Sequence, residues 1–373
     1  MNKYFFLFLF LNFTLVKAQK NIEILKVSEL YAPDSRESIF EIEYDSISNV
    51  LKGKTNIVAA KTELLKLFKS KNPVDSIKIL PDLWKGFIGI VNVSVGNMRY
   101  FPAESAEMAS QVWMGMPLEI FEKSNGWFRV KSPDGYIGWI GSSSLTVLKS
   151  DEYINFSKLK KLIFIKDHGR IYESPRLNSF PISDIVFGNT VVLQKKLADF
   201  YEVQLPDGRT GFVESNKVAI AKNWLETLKP NAQSLIKFSF EMRGIPYLWG
   251  GTSFKGVDCS GFTRTAFFSQ GIMLPRDASQ QAKVGENIEI DKNFSKLIPG
   301  DLLFFGNTIS KKVSHVAIWM GDLKFIHSSG MVKVNSVDPN SELYDDYNTN
   351  RLLLVKRMNF SDKNLINSYL NVN

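Results

Sequence analysis

Gly244-Ile245-Pro246-Tyr247-Leu248-Trp249-Gly250-Gly251, followed by Asp258-Cys259-Ser260-Gly261-Phe262, decides how the second half of this chain folds. Before it, Leu235, Ile236, Phe238, Phe240 and Met242 favour a helix from Asn231 that Gly244 ends. After it, Phe262, Ala266 and Phe267 recur at helical spacing until Gly271. Cys259 therefore opens a helix directly behind a glycine-rich loop. A helix N-terminus carries partial positive charge and unpaired N–H groups, which are expected to lower a thiol's pKa. The same N–H groups can hold an oxyanion. Cys259 is the one cysteine of the chain. A lone cysteine is either a small buried hydrophobe or a working nucleophile.

A nucleophile needs a base, and three histidines are available: His168, His315 and His327. His168, between Asp167 and Gly169, reads as an exposed loop residue. His315 lies in Lys312-Val313-Ser314-His315-Val316-Ala317-Ile318-Trp319, a β-branched, alternating strand, and His327 closes a second strand, Leu323-Lys324-Phe325-Ile326. A three-residue loop, Met320 to Asp322, would pair residue 315 with 327 and put both rings on one face. A two-residue loop would put them on opposite faces. The shared face gives a Cys–His–His set in which Cys259 attacks, His315 takes its proton and His327 orients the base.

The first half contains a repeat at a constant offset of 73 residues. Pro102 matches Pro175, Gly115 matches Gly188, and Pro133-Asp134-Gly135 matches Pro206-Asp207-Gly208. Short strands such as Leu118-Glu119-Ile120-Phe121 and turn signals such as Asn125-Gly126 indicate two small all-β barrels. The copies differ where the first has Glu107 and Tyr136 and the second Phe180 and Arg209. Before the repeat, Val58, Leu64, Leu65, Leu67 and Phe68 give a helical stripe near Thr55–Lys69, which Pro73 ends.

At the start, Met-Asn-Lys precedes an apolar run from Tyr4 to Val16 and a small residue, Ala18. This reads as an export signal cleaved near Ala18, with the mature protein periplasmic or extracellular. The run is too short for a good membrane anchor, and no later stretch approaches a span. Loss of Lys3 and Lys17 would take the formal charge from +8 to +6, which suits an anionic polymer without identifying one. Nucleic acid is a poor match for an exported chain without a compact basic motif.

The second half resembles the NlpC family of cell-wall cysteine peptidases, of reduced papain-like fold. The resemblance runs from about Asn231 to Arg357. It rests on the two stretches quoted first and on Leu274-Pro275-Arg276-Asp277-Ala278-Ser279-Gln280-Gln281, Pro299-Gly300-Asp301-Leu302-Leu303-Phe304-Phe305 and Ser314-His315-Val316-Ala317-Ile318, with His327 in its expected place. Trp127 to Ile140 fits the pattern of bacterial SH3-like domains, and the second copy fits it more loosely. The resemblance implies hydrolysis of the γ-D-glutamyl–diamino acid bond of peptidoglycan stem peptides. It further implies that the first barrel walls one end of the cleft, with Glu107 and Tyr136 receiving the free amine of an N-terminal L-alanine. Tyr247 matches a tyrosine that helps the oxyanion site, and Asp258, Ser260 and Asp277 match substrate-contacting positions. Ala278 stands where relatives often carry serine, which removes one hydroxyl.

The expected organisation is an export signal over residues 1–18, an N-terminal helical element over 19–75, SH3-like barrels over 76–150 and 151–222, an α+β papain-like catalytic domain over 223–357, and a tail over 358–373. A monomer is expected, taking peptidoglycan-derived peptides, with no metal, no organic cofactor, no nucleic acid and no stable membrane insertion. The rival readings are an amidase cutting between sugar lactate and L-alanine, a non-catalytic wall-binding scaffold, and a transferase that passes an acyl group to an amine.

Overall fold

The computed structural model describes residues 22–361. The expected signal over residues 1–18 and most of the tail lie outside them.

The N-terminal element is more than a helix. The stripe expected near Thr55–Lys69 forms the helix Val58–Leu67, but strands Phe40–Asp45, Val50–Thr55 and Val74–Ile79 surround it in one three-stranded sheet. The first two strands pair antiparallel and the last two parallel, with the helix as the crossover. Ala60, Leu64 and Phe68 bury against Leu51 and Ile77. The strand signal lay in the alternation Phe40, Ile42, Tyr44, whose charged neighbours masked it.

Two seven-stranded antiparallel sheets follow, and the 73-residue offset survives in them. Trp127–Lys131 and Ile137–Gly141 of the first correspond to Phe200–Gln204 and Thr210–Glu214 of the second. Both sheets have the same strand order, and their bulges fall at equivalent places, after Ile120 and after Leu193. Gly115 and Gly188 take φ of 85° and 88°, and Gly135 and Gly208 both take 89°. A side chain is strained at such φ, which is why these glycines match between the copies. Gly115 also faces the second sheet so closely that a Cβ would lie 2.0 Å from Thr190 Oγ1.

The last part is α+β. Helix Ala232–Glu241 starts at Asn231, whose side chain accepts the Ser234 N–H at 2.9 Å. Helix Cys259–Phe268 is buried along its whole length. It packs on a six-stranded antiparallel sheet ordered Glu286–Ile288, Leu352–Arg357, Leu302–Gly306, Val313–Gly321, Lys324–Ser329, Met331–Ser336. Phe262, Ala266 and Phe267 meet Leu302, Phe304, Val316, Ile318 and Ile326 in one core. The buried ion pair Arg264–Asp134, at 2.8 Å, ties this helix to the first seven-stranded sheet. Trp113 packs edge-on against Phe268 across the same interface. Among the described residues no helix is long and apolar enough to cross a membrane.

Candidate active site

Asp258 caps the helix that begins at Cys259: its Oδ1 accepts the Gly261 N–H at 2.7 Å. Position 261 has to be glycine, because a Cβ there would lie 1.9 Å from the Gly251 carbonyl oxygen. The helix start is thereby pressed onto the glycine loop. Cys259 lines a cavity of about 250 Å³ shared with Tyr247, Trp249, Asp258, Ser260 and Asp277.

The thiol does not behave as the helix start suggested. Burial, then the adjacent Asp258 carboxylate, push it up to about 12. The Val316 N–H bonded to the sulfur, Arg276 and the Ser260 N–H oppose this without overcoming it. The cap that starts the helix also brings a negative charge beside the sulfur, so the N-terminal field does not act alone. Cys259 rests as a thiol, and its bond from Val316 places it against the strand that carries His315.

His315 and His327 do share a face, but not by the expected register. The turn is a two-residue one at Asp322 and Leu323, both at positive φ, with Gly321 opposite Lys324. Such a loop alone would have set the rings on opposite faces. A register shift between Trp319 and Gly321 restores the parity, so that Trp319 pairs with Phe325 and Ile318 with Ile326. His315 Nε2 then lies 2.8 Å from His327 Nδ1, and His327 Nε2 lies 3.0 Å from Asn335 Oδ1.

These contacts fix the tautomers. Asn335 Nδ2 donates to the Leu343 carbonyl at 3.1 Å, which leaves Oδ1 to accept from His327 Nε2–H. His327 Nδ1 is then a bare acceptor, and His315 must donate its Nε2–H to it. Nδ1 of His315 is left as a free lone pair. Burial, then His327, Arg351 and Lys333, hold His315 down at about 3. Burial holds His327 at about 4 against the raising effects of Asn335 and Asp345. Both rings are neutral at pH 7.

Asp258 and Ser260 line the cavity, but both are held by Arg276. Its Nη2 donates to Asp258 Oδ2 at 2.5 Å, and its Nη1 to Asp258 Oδ1 at 3.1 Å and to Ser260 Oγ at 3.0 Å. Nε reaches Ser110 Oγ in the first seven-stranded sheet at 3.1 Å. Tyr247 faces the same cavity, and burial, then Cys259 and Asp258, keep its phenol protonated by raising its pKa.

Glu107 and Tyr136 part company. Glu107 is exposed and accepts the Trp249 indole N–H at 2.8 Å. Tyr136 is buried, lies 3.0 Å from the Tyr100 hydroxyl and donates to Asp277 Oδ2 at 3.3 Å. Among the described residues no hydrogen bond joins Glu107 to Tyr136. Asp277 Oδ2 also accepts from Arg36 Nη1 at 2.7 Å, and Arg36 lines the cavity. Ser279 Oγ accepts from the same nitrogen at 2.9 Å. Ala278, whose missing hydroxyl was noted, is a wall of the cavity.

Residues 244–357 match the model of the NlpC/P60 family. The chain contains an NlpC/P60 domain. Residues 98–145 match the model of the bacterial dipeptidyl-peptidase SH3 domain. The chain is 29% identical over 231 residues to the gamma-D-glutamyl-L-lysine dipeptidyl-peptidase of Bacillus cereus, which covers 60% of this chain and 67% of that one. It is 27% identical over 270 residues to dipeptidyl-peptidase 6 of Lysinibacillus sphaericus, covering 68% and 93%. A crystal structure of an NlpC/P60 family protein from Bacillus cereus superposes with a TM-score of 0.62 at 23% identity, over 72% of this chain and 99% of that one. That likeness shows the fold.

Within the NlpC/P60 domain, Cys259, Tyr247, Asp258, Ser260 and Asp277 meet in one cavity, and His315 and His327 bond to each other. Neither Glu107 nor Tyr136 lines that cavity: the Glu107 carboxylate bonds Trp249 of its lining, and the Tyr136 hydroxyl bonds Asp277 and Tyr100. Three participants had no assigned role in the sequence: Asn335, Arg276 and Arg36. Asn335 required the register of a further hairpin, His327 opposite Lys333. Arg276 sat inside a quoted motif, but its buried partners were not legible there. Nothing in sequence links Arg36 to Asp277, 241 positions away.

Proposed function

We propose that the chain is a thiol peptidase that hydrolyses the γ-D-glutamyl–diamino acid bond of peptidoglycan stem peptides and releases L-Ala-γ-D-Glu. The observation that carries the reading is the tautomer chain from Asn335 through His327 to His315, which leaves one nitrogen with a free lone pair on the strand whose Val316 N–H bonds to the buried thiol. The relatives named for a γ-D-glutamyl–lysine bond support the choice of bond. The two seven-stranded sheets are read as SH3-like barrels, and the chain as an exported monomer.

Because both partners rest neutral, the sulfur must lose its proton as it attacks. His315 Nδ1 takes that proton while sulfur bonds to the γ-carbonyl carbon. The oxyanion is stabilised by N–H groups at the helix start and by the Tyr247 hydroxyl, which stays protonated and able to donate. His315 returns the proton to the leaving amine, the C–N bond breaks, and a thioester remains. Water, deprotonated by the same nitrogen, cleaves the thioester and restores the thiol. Arg276 holds Asp258 and Ser260 rigid beside the reacting centre. A free L-alanine amine finds Asp277 and the Glu107 side of the cleft, where a carboxylate suits an ammonium.

The test is incubation of purified protein with L-Ala-γ-D-Glu-meso-diaminopimelate and its N-acetylated form. Release of L-Ala-γ-D-Glu from the free-amine peptide is expected, and its loss in Cys259→Ser. Unchanged activity of that variant would defeat the mechanism. Equal cleavage of both peptides would defeat recognition of the amine.

A further inference from the structure

The N-terminal element has no part in the chemistry above, yet one of its side chains lines the cavity that holds Cys259. We propose that Arg36 is a specificity-determining residue: it is the end wall of the acyl side of the cleft and confines the reaction to stem peptides with a free amino end. The inference rests on the proposed reaction and adds to it the element that limits substrate length.

Arg36 is fixed on its own segment first. Its backbone N–H and its Nε donate to Asp34 Oδ1 at 3.0 and 2.8 Å, and Nη2 donates to Asp34 Oδ2 at 2.6 Å. Nη1 then spans to Asp277 Oδ2 and Ser279 Oγ, at 2.7 and 2.9 Å. A planar guanidinium held along both edges cannot swing aside as a lysine could.

The segment beneath it is fixed as well. The Arg36 carbonyl accepts the Ile137 N–H at 2.6 Å, and Glu37 Oε1 accepts from Gln280 Nε2 at 2.6 Å. Ile39 is buried with Leu80, Phe121 and Ile137. Residues 34–39 are thus clamped between the first seven-stranded sheet and the NlpC/P60 domain, which makes them a wall rather than a displaceable strap.

Position follows from the contacts and the chemistry. From the nucleophile outward they run Cys259, Asp258, Arg276, Asp277, Arg36. Val313 and Ser314 line the cavity on the His315 side, where the leaving amine takes its proton. The acyl group must extend the other way, toward Arg36. The cavity, about 250 Å³, lies below the roughly 300–1,000 Å³ of pockets for drug-sized ligands, which suits a dipeptide acyl group.

Charge agrees with this placement. Asp34 and Asp277 balance the guanidinium, so a small ammonium at the peptide end is not repelled. An amide-blocked end has lost its cation and adds bulk where Arg36 stands.

The experiment compares kcat/KM for free-amine and N-acetylated L-Ala-γ-D-Glu-meso-diaminopimelate in the wild type, Arg36→Ala and Arg36→Lys. Removing the wall should lower the preference for the free amine by about tenfold or more, through gain on the acetylated peptide. The preference of Arg36→Lys should fall between those of the wild type and Arg36→Ala. An unchanged preference in Arg36→Ala overturns the inference and leaves the proposed reaction standing. So does loss on both peptides with an unaltered melting temperature, which would make Arg36 a substrate ligand. A wild type that cuts neither peptide overturns both.

Discussion

His315 Nε2 lies 2.8 Å from His327 Nδ1, and the proton between them belongs to His315 because Asn335 holds His327 by its other nitrogen. One amide therefore decides which nitrogen of His315 is free.

Asn335→Leu should release that control. His327 then carries its proton at Nδ1 and donates to His315 Nε2, which shifts the His315 proton to Nδ1 and removes the free lone pair there. We expect kcat to fall by about ten- to a hundredfold with little change in KM, less than the roughly 10²–10⁴-fold contribution of a general base itself. Steady-state kinetics of Asn335→Leu beside His315→Ala would check the order. Equal kcat in Asn335→Leu and the wild type would deny Asn335 this role.

Cys259 should alkylate slowly at neutral pH. Burial and Asp258 push the thiol up to about 12, so the thiolate fraction is small at pH 7 and still rising at pH 10. The rate of iodoacetamide modification against pH reads this directly. A plateau already reached below pH 7 would reveal a thiolate–imidazolium pair instead.

The histidine pair should make the fold acid-sensitive. Both rings titrate in the folded chain below their ordinary 6.5, at about 3 and about 4. Between those values and 6.5 the unfolded chain binds protons that the folded chain refuses. Stability is therefore complete above 6.5, falls as pH drops through that window, and levels off once the folded rings protonate too. Each pKa unit corresponds to about 1.4 kcal/mol. Melting curves from pH 7 to 4 should fall less steeply for His327→Asn than for the wild type, and parallel curves would remove the pair as the cause.

Breaking the buried ion pair between helix and sheet should be costly. Asp134→Ala deprives Arg264 of its carboxylate where both side chains are about 1% exposed, at about 3–5 kcal/mol. The equivalent aspartate of the second copy, Asp207, pairs with the partly exposed Arg209, and Asp207→Ala should cost about 0–1 kcal/mol. Urea unfolding of the two variants compares the same position in two settings. Similar losses would mean that the interface pair contributes no more than a surface one.

The two copies show what repetition can tell. Their matching glycines sit at the same positive φ, and their strands and bulges keep the same offset, so the shared backbone was legible from spacing alone. What each copy touches was not. Tyr136 meets Asp277 of the NlpC/P60 domain, whereas Arg209 folds back on Asp207 within its own sheet. The N-terminal strands were obscured because charged residues occupy their outer face and the helix Val58–Leu67 supplies the apolar signal.

Local chemistry settled much of this protein before any coordinates. The helix behind the glycine loop, the sole cysteine at its start and two histidines on neighbouring strands follow from side-chain period and turn residues, which act over a few positions. Tertiary structure decided the rest. The shift between Trp319 and Gly321 chose the face of the ring pair, burial reversed the expected direction of the thiol, and packing brought Arg36 to Asp277. Each of these depends on desolvation or on contacts between segments far apart in the chain, and a linear pattern carries neither.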